Sequence, residues 1–151
     1  MEERIALHQE NNQEMEWIEF TVGDSRYGLN VDKVIEIIQT KPVTKVPLSH
    51  PYILGMVDLR GEVVPIIDMS KVLSKGSSTN TLEEKYIVAE IYDKKVGFYV
   101  HGISNIHRLH KGDIHQPDTN STDFEVEGLI DDEQGPIYLL NVEKIIEKMN
   151  E

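Results

Sequence analysis

The sequence predicts a mainly β chain built as two small barrels with a few short helices. Three observations carry this. Short runs of β-branched and aromatic residues recur at regular spacing, Gly, Pro, Asn and Asp punctuate them, and one apolar pattern occurs twice. Ile18, Phe20, Asp24, Gly28, Val31, Val34 and Ile37 are answered 69 positions later by Ile87, Ala89, Asp93, Gly97, Val100, Ile103 and Ile106. Gly55, Asp58, Ile66, Ile67, Asp68, Lys71, Val72 and Leu73 are answered 73 positions later by Gly128, Asp131, Leu139, Leu140, Asn141, Lys144, Ile145 and Ile146. Two related subdomains follow, and what distinguishes the copies is where function is expected.

Residues 1–16 are polar and are expected to be a lead-in without an assigned role; 17–151 should form a single domain. Its subdomains are placed at about 17–76 and about 77–151, with exchange of terminal segments between them allowed. Residues 17–22 and 27–31 flank the turn Gly23-Asp24-Ser25 and read as a hairpin. Residues 34–38 continue in apolar form, and Pro42, Pro47 and Pro51 place the runs at 43–46 and 52–57 at strand starts or edges. Gly61 turns the chain into residues 63–67, after which Asp68 can cap a short helix through Leu73. Residues 74–84 have turn composition and divide the copies. In the second copy, residues 86–92 and 96–100 flank Asp93-Lys94-Lys95, and residues 137–140 precede Asn141, a cap for a last helix. That helix carries Val142, Ile145, Ile146 and Met149 on one face. Each copy of roughly 70 residues is too small to be stable alone and is expected to pack on the other.

A net charge of −12 repels phosphate backbones and anionic lipid surfaces, so neither nucleic acid nor a membrane surface is an expected partner. A protein partner is the default. The chain has no cysteine, which removes disulfides and thiolates and fits a reducing compartment. No apolar run approaches a membrane span, and residues 1–5 do not resemble an export signal, so a cytoplasmic protein without direct membrane insertion is expected. Among the histidines, His107-x-x-His110 could bring two rings to one ion, and the stretch from His101 to His115 gives a remote reading as a metal-dependent enzyme. No nearby carboxylate completes a ligand set, so solvated loop histidines are the expectation, with no metal site and no cofactor. No Gly-x-Ser-x-Gly elbow or phosphate-binding glycine loop occurs, so no catalytic residue is assigned. Glu83-Glu84 and Asp131-Asp132-Glu133 lie in polar turns and read as solvated carboxylates. Asn120-Ser121-Thr122 matches a glycosylation acceptor without meaning in the cytoplasm.

Two features remain. Arg60 stands in an otherwise apolar stretch, and its planar guanidinium suits a carboxylate fork. Either an internal ion pair with Glu36 or Glu62 or a contact with a partner satisfies it, and the two are compatible if Glu36 preorganises Arg60. The second feature is Val31, Val34, Glu36 and Ile37 with the echoes Val100, Ile103 and Ile106. Most are expected in the core, and the remainder could line a groove where the lobes meet, a seat for an amphipathic helix.

The order Phe20-x-x-Gly23-x-x-x-Tyr27-Gly28-Leu29-x-Val31-x-x-Val34-x-Glu36-Ile37, then Val46-Pro47, then the unbroken stretch from Gly55-Met56-Val57-Asp58-Leu59-Arg60-Gly61 to Asp68, resembles the CheW family of chemotaxis coupling proteins. The likeness runs from Trp17 to Lys148. It implies two five-stranded SH3-like barrels packed on each other, with short helices including a C-terminal one. It also implies a noncatalytic adaptor joining the regulatory domain of the histidine kinase CheA to the cytoplasmic tips of methyl-accepting chemoreceptors in membrane-associated arrays. The receptor-contact positions of the family fall here on Val34, Glu36, Arg60, Ile103 and Ile106. Asp58 stands where the family more often has Asn. Residues 49–52 and 61–65 are also similar to the CheW-like amino-terminal half of CheV-type proteins, which gives the alternative of a domain cut from a longer coupling protein.

Overall fold

The computed structural model describes residues 14–76, 83–116 and 125–150. Most of the lead-in, part of the dividing segment at 74–84, and Asn120-Ser121-Thr122 lie outside the described residues. The first copy supplies β1 (Glu14–Val22), β2 (Ser25–Asn30), a 3₁₀ turn at Val31–Lys33, β3 (Val34–Gln39), β4 (Ile53–Leu59), β5 (Glu62–Asp68) and helix α1 (Met69–Val72). The second supplies β6 (Lys85–Ile91), β7 (Lys94–Val100), β8 (Gly102–His110), a 3₁₀ turn at Lys111–Asp113, β9 (Val126–Asp132), β10 (Gly135–Leu140) and α2 (Val142–Met149). Strand β1 begins ahead of Trp17. The run at 43–46 contributes a single bridge at Thr44 rather than a strand.

Two five-stranded sheets result, ordered β8-β1-β2-β10-β9 and β3-β6-β7-β5-β4. Replacing each strand by its counterpart in the other copy turns one order into the other, so the sequence repeat is a structural one. The copies and the sheets nevertheless divide the chain differently. Each sheet takes two strands from one copy and three from the other, joined through the parallel pairs β2·β10 and β5·β7 and the antiparallel pairs β1·β8 and β3·β6. Paired backbone bonds of 2.8 Å between Thr44 and Met56, and between His115 and Leu129, bring the segments after β3 and β8 round to β4 and β9. These bonds close each sheet into an SH3-like barrel.

The caps form as their residues dictate. The Asp68 carboxylate accepts from the Ser70 N–H at 3.0 Å, and the Asn141 side chain accepts from the Lys144 N–H at 3.1 Å, each satisfying a helical donor that has no partner of its own. Helix α2 buries Val142 and Ile145 and rests Ile146 and Met149 against the core.

Each barrel has a small interior of its own. One holds Trp17, Ile130, Ile137 and Leu139; the other holds Val57, Val64, Ile66, Tyr86 and Val88. Between them lies a larger shared core where Phe20, Val22 and Leu29 of one sheet meet Ile87, Phe98 and Val100 of the other. Strand β6 therefore buries both faces, Tyr86 and Val88 inward, Ile87 and Ala89 toward the shared core. This is why residues 86–89 are continuously apolar instead of alternating.

The parallel pairings require glycine. A Cβ on Gly97 would sit 2.5 Å from Cδ1 of Ile66, and one on Gly28 would sit 2.7 Å from Cδ2 of Leu139, both of these side chains being fully buried. Gly97→Ala is expected to destabilise the fold by about 1–3 kcal/mol, the usual cost of overpacking, read from the shift of a urea unfolding midpoint.

Candidate functional site

Strands β4 and β5 are joined by the two residues Arg60 and Gly61, both with positive φ (53° and 84°), the twist-matched turn of a tight hairpin. Left-handed backbone is costly for an arginine, and two bonds hold it there. The Gly61 N–H donates to the Asp58 carboxylate at 3.0 Å, and the Lys41 ammonium donates to the Asp58 carbonyl at 2.8 Å. The guanidinium is thereby directed at β3, where it grips Glu36 with both terminal nitrogens, Nη2 lying 2.9 Å from Oε1. Of the two carboxylates open to Arg60 in the sequence, Glu36 is the partner. Glu62 instead accepts from Lys95 at 2.6 Å. Hydrogen bonding to Arg60 holds the Glu36 carboxyl below the usual carboxylate range, and the same bonds raise Arg60. The fork stays accessible, with the Arg60 side chain 70% exposed.

Asp58 acts in this turn as an acceptor for a backbone N–H. An Asn has the same oxygen, so the turn does not depend on which of the two stands there.

Val34 and Glu36 are half-buried, while Ile35 and Ile37 between and beyond them point outward, 44% and 41% exposed. A bulge lies between Val34 and Glu36, and its counterpart lies where β8 passes Ile18 and Phe20 of β1. On β8, Ile103 packs against the shared core as Val34 does, whereas Ile106 is 60% exposed, the counterpart of Ile37. The structure thus joins Glu36 to Arg60 and sets Val34 and Ile103 against one core. Ile106 stands on the outer strand of the other sheet. Val31 is half-buried and Val100 fully buried.

The histidines differ from expectation. His107 and His110 lie on β8, not in a loop, and His107 Nε2 is 2.7 Å from the buried Glu19 carboxylate. His101 is buried, its Nδ1 accepting from the Gly23 N–H at 2.9 Å, which places the remaining ring proton on Nε2. A carboxylate as enclosed as Glu19 needs partners, and it also faces Arg26 at 3.4 Å. Arg26 forks onto Asp132, holding that carboxyl far below its usual range, and donates to the Gly135 carbonyl at 2.7 Å. Asp132 is therefore an ion-pair member, not a merely solvated turn carboxylate. This network joins positions 19, 26, 107 and 132, and no local pattern in the sequence marks it. Among the described residues no group of three or more His, Asp or Glu is arranged to hold a metal ion. Among them, too, no helix is long and apolar enough to cross a membrane.

A sequence model of the CheW-like domain matches residues 16–149. The chain belongs to the CheW-like family. It is 36% identical over 110 residues to the chemotaxis protein CheW of Rhizobium meliloti, covering 73% of this chain and 71% of that one. It is 28% identical over 143 residues to the chemotaxis protein CheW of Helicobacter pylori, covering 93% and 87%. Its fold is similar to the crystal structure of the scaffolding protein TtCheW from Thermoanaerobacter tengcongensis, with a TM-score of 0.77 at 26% identity over 84% of this chain and 88% of that one. Several relatives matched over most of both chains carry the CheW name, and the CheV-type alternative is not favoured.

Proposed function

We propose that this chain is a noncatalytic coupling protein of the cytoplasm. In this reading it joins the regulatory domain of the histidine kinase CheA to the tips of methyl-accepting chemoreceptors in membrane-associated arrays. Membership of the CheW-like family supports this, and the observation that carries it is the exposed fork between Arg60 and Glu36. At the corresponding positions of the second copy stand Glu133 and Asn105, which cannot form it. A bidentate guanidinium–carboxylate pair fixes orientation as well as charge, and outward Ile35 and Ile37 add apolar surface of the kind an amphipathic helix covers. Val34, Glu36, Arg60, Ile103 and Ile106 are the proposed receptor-contact set, and the kinase docks on other apolar barrel edges. Weak individual contacts suffice, because membrane-tethered receptors and dimeric kinase raise the effective concentration of each site.

Arg60→Glu places a carboxylate against Glu36 and reverses the charge at the tip. Affinity for receptor cytoplasmic fragments is expected to fall about tenfold or more, as like charges at an interface do. The melting curve should be unchanged, because a pair this exposed contributes little to folding. Pull-down beside circular dichroism measures both, and full binding by the folded variant overturns the reading. Restored receptor control of kinase phosphorylation in reconstituted membranes is the direct assay of coupling.

A further inference from the structure

The other barrel serves as an internal control for the one that carries Arg60, since it has the same five-strand order and shows which of that one's residues the fold does not require. The Tyr86 hydroxyl, rooted in a barrel interior, donates to the Lys41 carbonyl at 2.7 Å. Lys41 in turn donates from its ammonium to the Asp58 carbonyl, Asp58 receives the Gly61 N–H, and Arg60 between them forks onto Glu36. In the other barrel Trp17 stands in place of Tyr86, and its Nε1 has no partner among the described residues. The equivalent bridges at Thr44 and His115 set Gly112 opposite Lys41, while Glu133, Gln134 and Asn105 replace Arg60, Gly61 and Glu36. Of these residues only Asp58 has a like counterpart, Asp131, and at that tip the Gln134 N–H is taken by Asp132 instead, at 2.8 Å. The other hairpin is held by different bonds, from Arg26 to Asp132 and to the Gly135 carbonyl, so the barrel does not dictate the set found here.

We infer that Tyr86 and Lys41 are positioning residues for Arg60, forming a brace from the barrel interior to the hairpin tip that keeps its guanidinium locked on Glu36 and ready for a partner. The inference rests on the proposed receptor role of Arg60. A long arginine side chain left free would lose rotamer freedom on docking, and the brace pays that entropy in advance. Lys41 need not touch the partner.

Two readouts on the full chain separate the brace from the coupling role. In nitrogen-15 spectra a guanidinium held by a fork rotates slowly and shows distinct Nη signals. Lys41→Met is expected to merge those of Arg60, Tyr86→Phe to broaden them, and Lys41→Arg, which keeps a donor, to preserve them. Unchanged Arg60 signals in Lys41→Met overturn the inference. In binding to receptor cytoplasmic fragments, Lys41→Met is expected to weaken affinity about three- to tenfold, the worth of one hydrogen bond, with recovery in Lys41→Arg. Added to Arg60→Ala it should cost nothing more; an equal loss in that background would make Lys41 a direct contact and overturn the positioning role. Should Arg60→Ala itself bind as well as the parent chain, the coupling reading falls, while the nitrogen signals still decide the brace.

Discussion

Expressed separately, residues 1–76 and 77–151 are expected to show no cooperative thermal transition, and mixed in equal amounts they should regain one. The cause is the exchange of strands. Residues 1–76 carry β1 and β2 without β8, β9 and β10, and β3, β4 and β5 without β6 and β7, so this half contains parts of two barrels and the whole of neither. Phe20 and Leu29 in that half lose Ile87 and Phe98, which face them across the shared core in the other. Apolar burial is the dominant favourable contribution to folding, and a half chain without it cannot offset its own conformational entropy. Circular dichroism melts of each fragment and of the mixture make the measurement. A cooperative melt of the 77–151 fragment alone would contradict the strand order described above.

Phe98→Ala should lower the stability of the whole chain by about 3–5 kcal/mol, the range for removing a buried aromatic ring. Phe98 is 1% exposed and lies on the face of β7 turned toward the shared core, where residues of both sheets and both helices meet. Against a total of about 5–15 kcal/mol for an ordinary domain, the loss is large. It should also be felt everywhere at once. Because the ring belongs to the core that both barrels share, signals from Trp17 in one barrel and from Tyr86 in the other should be lost in a single transition. Separate midpoints for the two would mean that the shared core does not couple them.

Much of the fold was legible in the sequence because it is written locally. Asp68 and Asn141 announce helix starts by chemistry alone, the spacing of Val142, Ile145, Ile146 and Met149 gives the buried face of α2, and the repeat aligns strand with strand. Partner choice is not local. Nothing in the alternation of β1 says that it pairs with β8 across most of the chain, and so the exchange between copies had no signature beyond the marginal size of each. The candidate site divides in the same way. Arg60 is conspicuous as a cation in an apolar stretch, but the choice between Glu36 and Glu62 depends on register. Glu62 sits opposite Leu59 beside the turn, where Lys95 claims it, and β3 brings Glu36 under the guanidinium. The inward turn of Val34 and Glu36 against outward Ile35 and Ile37 is the plain alternation of a strand, but a stretch that is apolar at 34, 35, 37 and 38 does not show which face is inward. Lys41 and Tyr86 carry no mark in the sequence, because each acts through a backbone carbonyl and any residue type supplies one.

The interleaving of strands is the geometry that a two-fold dimer of a single repeat would adopt, here with the two protomers joined end to end. A true dimer of that kind presents the same surface twice and can only bridge like to like. Fusion lifts that constraint, since each position of the repeat is now encoded independently, and one edge can become basic and forked at Arg60 while its twin turns acidic at Glu133. Two unlike faces on one rigid body, in fixed one-to-one proportion, are what any connector between dissimilar neighbours must have.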